Sequence, residues 1–193
     1  MSTQTVPSNL AGRKRRFSVE NYHRLGEVGI LGPDERVELI EGEIIKMAPI
    51  GSVHVSVVNR LNELFFRRLL GQAIVSVQNP VILKPSSEPQ PDISLLSPRQ
   101  DQYRNSLPEP EDVLLLVEVA DTTLAYDMSK KVPLYAAQGI QEVWIVDVEA
   151  DRVHVFREPT EKGYDSIWDL PRGRKFSLLG FPDVEIAVDE VLG

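Results

Sequence analysis

The 193-residue sequence contains no cysteine. That removes disulfides, thiolate zinc sites, iron–sulfur clusters and cysteine nucleophiles together, and makes the cytosol (cytoplasmic location) the expected compartment. No run of 18 or more apolar residues is available to span a bilayer, and residues 1–10 have neither the charged start nor the apolar centre of a signal peptide, so a soluble protein that is not exported is expected. Gly-rich phosphate loops of the P-loop and dinucleotide types are missing, which deprives a nucleotide-binding reading of its chemistry. No internal repeat occurs. Positive charge is also scarce: the formal charge is −8, and setting aside the +4 of Arg13, Lys14, Arg15 and Arg16 leaves −12 on residues 17–193. Affinity for duplex DNA comes largely from Lys and Arg displacing counterions, which argues against a broad phosphate-gripping surface. An acidic pocket for a divalent ion, with a local basic rim, stays open.

What is present is a chain that is 42% hydrophobic and long enough to bury roughly 70% of the surface its unfolded form would expose. One domain over residues 17–193 is expected, preceded by a basic, flexible tail over 1–16. Val19, Tyr22 and Leu25 share a helical face behind Ser18, predicting a short helix to Glu27 that stops at Gly29, Gly32 and Pro33. Two β-rich runs over 36–46 flank Glu41-Gly42 and predict a hairpin. From 52 to 70 the apolar positions Val53, Val57, Leu61, Leu64, Phe65 and Leu69 recur at helical spacing, the clearest amphipathic helix in the chain. Strands are expected at 73–77, 80–83, 92–96 and 113–119, and a polar, mobile loop at 97–112. A helix over 127–138 should kink at Pro133, which lacks an N–H, and end at Gly139. Strands at 142–147 and 152–156 follow, then further short strands and turns to the end. The pattern is a mixed α/β fold, a sheet with helices packed on it.

Two acids stand inside apolar runs. Asp92 follows Pro91 and opens a strand, and Glu118 lies within Val113-Leu-Leu-Leu-Val-Glu-Val119. A carboxylate so placed is costly to desolvate unless a cation or donor meets it. If the strands are neighbours, the two acids can offer oxygen ligands to Mg²⁺ or Mn²⁺, and a nearby lysine would orient water or offset phosphate charge, as phosphodiester hydrolysis requires. Taken singly, Glu118 could form a structural ion pair and Asp92 a turn cap. Asp127, Lys131 and Tyr135 fall at i, i+4 and i+8, which either presents Lys131 toward Glu118 or makes an ordinary Asp–Lys surface pair. Lys130 points about 100° away. Trp144 and Trp168 read as core or interface residues, and 143–146 as a buried strand that could also serve as a dimer edge.

In order along the chain, Glu38-Leu-Ile-Glu-Gly-Glu43, His54, Pro91-Asp92-Ile93, Val117-Glu118-Val119-Ala120, Asp127, Lys131, Tyr135 and 139–147 resemble the pattern of the Uma-type restriction endonucleases, over about residues 17–157. That family looks like a branch of the PD-(D/E)XK nuclease superfamily. The resemblance implies a restriction-endonuclease-like mixed sheet flanked by helices, with extra C-terminal strands, and a metal-dependent endonuclease acting on DNA as a possible homodimer. It assigns Asp92 and Glu118 as metal carboxylates. Ala120 stands where the superfamily has its lysine, and Lys131 is the replacement. Glu38 is either the additional acid of such sites or an exposed hairpin residue, and His54 either a metal-side ligand or a helix-start packing residue. A scaffold that retained the fold without the chemistry is the alternative, motivated by Ala120 and the acidic body.

Overall fold

The computed structural model describes residues 15–193, so most of the basic tail expected at 1–16 lies outside the described residues. Helix α1 (Val19–Glu27) is capped by the Ser18 hydroxyl, which accepts from Asn21 N at 3.2 Å. The hairpin follows as β1 (Val37–Ile40) and β2 (Glu43–Lys46), paired antiparallel. Its turn needs Gly42: φ is +79°, and a Cβ there would lie 2.5 Å from the Arg16 Cβ, because residues 16–17 cross directly over the turn. Phe17 N donates to Gly42 O at 2.9 Å.

Helix α2 (Ser52–Arg68) lies on one face of a six-stranded sheet and buries Val57, Val58, Leu61 and Phe65. Val53, placed on the apolar stripe by spacing, is 56% exposed and lies outside the core. The sheet runs β3 (Ile74–Val77), β4 (Ile93–Leu96), β5 (Val113–Ala120), β6 (Glu142–Asp147), β7 (Arg152–Thr160) and β8 (Gly163–Pro171) in that spatial order. All neighbours are antiparallel except β5 and β6. A parallel pair needs a crossover, and here it is helical. The crossover is α3 (Leu124–Tyr126), a π-turn over Asp127–Lys131, and α4 (Val132–Ala137). It covers the second face of the sheet, packing Val132, Tyr135 and Ala136 against Leu116, Ala120, Val143 and Ile145. β9 (Lys175–Ser177), β10 (Glu185–Ala187) and α5 (Val188–Leu192) complete the α2 side.

This is the expected restriction-endonuclease-like α/β architecture, with several local differences. Residues 80–83 form no strand. Leu83 makes an isolated bridge with Ser87, and Glu88 bridges to Leu39. The polar segment 97–112 ties itself down: Arg99 stacks over Tyr103 at 3.9 Å, and Asp101 accepts from Arg99 Nε at 2.6 Å. The kink expected at Pro133 takes the form of the π-turn one turn earlier, where Val132 N reaches back five residues to Asp127 O. Residues 188–192 are helical rather than extended. Trp144 is fully buried between Phe65 and Phe176. Trp168 is 41% exposed under the Arg157 guanidinium, outside the core. Strand β6 is paired on both sides, so it cannot be a dimer edge. Among the described residues no helix is long and apolar enough to cross a membrane.

Candidate active site

Glu38 enters the site through the small hairpin. β1 leans on residues 88–90, with Leu39 N and Glu88 N exchanging bonds to each other's carbonyls at 3.3 and 2.7 Å. Gln90 N then donates to Glu38 Oε2 at 3.3 Å, and the Gln90 side chain to Val37 O at 3.2 Å. Because 88–90 leads straight into Pro91-Asp92, this contact delivers Glu38 beside the start of β4. Glu38 is 4% exposed, which rejects the exposed-hairpin alternative.

Asp92 sits one step before Ile93, whose partner in β5 is Val117, so the same register sets Asp92 across from Glu118. Its Oδ2 accepts from Val119 N at 2.9 Å and contacts His54 Nε2 at 3.0 Å, while Oδ1 accepts from Gln78 Nε2 at 3.1 Å. Burial alone would raise this carboxyl. The hydrogen bond and charge of His54, with the Val119 and Gln78 donors, overcome it and hold Asp92 below the ordinary range. His54 lies in the first turn of α2 and uses one ring nitrogen on Asp92, leaving Nδ1 buried without a hydrogen-bond partner.

Glu118 projects from β5 onto the face covered by the crossover helix, on the same side as Ala120 two residues on. A lysine at 120 would arise from the strand; here the amine comes instead from the π-turn. Lys131 Nζ lies 3.2 Å from Glu118 Oε1 and 3.1 Å from Glu38 Oε2, and the Tyr135 hydroxyl donates to Glu118 Oε1 at 2.5 Å. Lys130 is exposed. Asp127 is buried and accepts from the Thr123 hydroxyl at 2.6 Å rather than bonding Lys131. Burial drives the Glu118 carboxyl up to about 8, opposed by Lys131 and assisted by the acids Asp127, Asp92 and Glu38. Burial likewise raises Asp127 and Tyr135, and it pulls Lys131 down, but the attraction of Glu118, Glu38 and Asp127 outweighs it and moves Lys131 upward.

Glu38, His54, Gln90, Asp92, Glu118, Asp127 and Lys131 open on one cavity of about 350 Å³, also lined by Arg36, Lys46, 47–51, Asp121 and Tyr126. Sequence reasoning missed Gln78, Gln90 and Arg36. Gln78 takes a left-handed φ of 51° in the Gln78-Asn79-Pro80 turn, whose Asn-Pro dipeptide was the available signal. Asp127, Asp92 and Glu38 around the Glu118–Lys131 pair leave negative charge uncompensated, and that excess adds to burial in favouring the protonated Glu118. The all-oxygen donor set of Asp92 and Glu118 suits Mg²⁺ or Mn²⁺, which bind one or two carboxylates and complete their shell with water and phosphate. Among the described residues no group of three His, Asp or Glu side chains is arranged as a metal cage.

A mixed sheet with paired acids at the ends of neighbouring strands, and an amine supplied by the crossover helix, defines a protein of the restriction-endonuclease-like class. The chain belongs to the Uma2 family, described as "Putative restriction endonuclease", whose profile matches residues 19–189. Among solved structures it is similar to one described as "a putative nuclease belonging to DUF820" from Anabaena variabilis, with a TM-score of 0.67 and 15% identity. That likeness covers 91% of this chain and 97% of the other, and it is one of fold. No curated protein matches the chain.

Proposed function

We propose that the chain is a divalent-metal-dependent endonuclease that hydrolyses phosphodiester bonds of DNA in the cytosol. The carrying observation is the meeting of Asp92, Glu118 and Lys131 on one cavity, from the start of β4, from β5 and from the π-turn that follows it. In this reading Asp92 and Glu118 hold Mg²⁺ or Mn²⁺, and Lys131 orients the attacking water and offsets charge developing on the phosphate. Glu38 is the second carboxylate that holds the Lys131 amine. His54 orients Asp92 through Nε2, and it would serve the ion through that contact, since its Nδ1 is buried. A divalent ion bound there supplies a water of lowered pKa and a counter-charge for the phosphoryl oxygens. Cutting both strands of a duplex calls for two sites, which a second copy of the chain would provide.

The scaffold alternative rests on Ala120 and on the acidic body, and the approach of Lys131 to Glu118 answers the first of these in favour of the catalytic reading. Purified protein should nick plasmid DNA in Mg²⁺ or Mn²⁺, and Asp92→Asn or Glu118→Gln should abolish nicking. Undiminished cutting by both variants refutes the assignment. Calorimetric titration adds an independent readout: metal binding lost in Asp92→Asn supports the enzyme, and no binding at millimolar metal supports a scaffold.

A further inference from the structure

The cavity has an electrostatic problem as a nuclease site. A phosphodiester approaching it meets Glu38, Asp92, Glu118, Asp121 and Asp127. Lys131, the buried cation, is already engaged by two of them. At the mouth, Arg36 and Lys46 are the remaining cationic lining residues. Strand alternation separates them. The β1–β2 ladder continues through the bond from Met47 N to Arg36 O at 2.9 Å, so Arg36 shares a face with Glu38, two residues on. Lys46 is paired with Val37 and belongs to the other face.

Arg36 is exposed and makes no ion pair with a described residue, whereas Arg24, Arg68, Arg99, Arg152 and Arg172 each face a carboxylate on this acidic surface. Its Nη1 donates to Ala48 O at 3.3 Å, which anchors the guanidinium against the loop leading into α2 and leaves its other N–H groups unused by any described side chain. A planar guanidinium fork matches phosphate oxygens in two-point geometry and keeps its charge at any working pH.

We propose that Arg36 is the phosphate-gripping residue of the cavity mouth, binding a nucleic-acid backbone phosphate beside the one to be cleaved. The proposal rests on the nuclease reading, and binding without metal tests it separately from cleavage. Fluorescence anisotropy with a labelled 25-base-pair duplex in chelator, over a range of salt, compares wild type with Arg36→Ala, Arg36→Gln and the remote charge-matched control Lys162→Ala. Losing one phosphate contact should reduce the slope of log affinity against log salt by about 0.9 and weaken binding about 5- to 10-fold near 0.1 M salt. Arg36→Lys should keep the slope and lose part of the affinity, and Lys162→Ala should match wild type. Wild type that fails to bind duplex, or Arg36 variants indistinguishable from Lys162→Ala, overturns the proposal. Arg36-dependent binding without cleavage in Mg²⁺ or Mn²⁺ sustains the phosphate contact and refutes the nuclease reading, and with it the place of that contact beside a cleaved bond.

Discussion

Replacing Glu118 by glutamine should stabilise the fold while destroying the activity, and the gain should grow with pH. Glu118 is 4% exposed, and burial lifts its carboxyl from the ordinary 4.5 to about 8 in the folded chain. Between those values the folded protein holds a proton that the unfolded chain has released, so stability is full below pH 4.5 and is lost as pH rises toward 8. The slope is about 1.4 kcal/mol per pH unit, which accumulates to about 3 kcal/mol by pH 7. Glutamine matches the protonated acid in shape and does not titrate. Wild type and Glu118→Gln should therefore have similar urea midpoints at pH 5 in chelator and diverge steadily to pH 8. At pH 7 the variant should melt about 6–12 °C higher. Millimolar Mn²⁺ should narrow the gap by stabilising wild type alone. A difference between the two proteins that stays constant from pH 5 to 8 would refute the claim that a buried, underpaired carboxylate strains this site.

Lys131→Met should lower plasmid cleavage by at least about 100-fold, measured at saturating metal, since the amine between Glu38 and Glu118 is lost while both carboxylates remain. His54→Ala removes the contact to Asp92 Oδ2 and should weaken Mn²⁺ binding about 10- to 100-fold by calorimetry, with the fold intact by circular dichroism. Gly42→Ala should cost about 1–3 kcal/mol in urea unfolding, because the turn needs φ of +79° and the added carbon would also lie 3.0 Å from Phe17 O.

Much of the fold was legible locally. The spacing of Val57, Leu61 and Phe65 gave α2, Glu41-Gly42 gave the hairpin, and the continuous apolar run around Glu118 marked a strand covered on both faces. Burial of an acid in that run announced that something must meet it. Local pattern failed where non-local contacts dominate. Residues 80–83 have strand composition but spend their backbone bonds on a tight loop and on Pro89 and Pro108 carbonyls. The last residues became helical on packing Val188 and Val191 into the core.

The sequence by itself indicated which residues could carry the chemistry, because carboxylates embedded among apolar neighbours are improbable without partners, and helical spacing put Lys131 on one face with Asp127 and Tyr135. Only tertiary structure decided how they meet. The antiparallel register sets Asp92 across from Glu118, a π-turn in the parallel crossover brings in Lys131, and the contact of β1 with residues 88–90 adds Glu38. Side-chain identity is written along the chain, but convergence depends on strand register and helix placement, which burial of the whole core fixes at once.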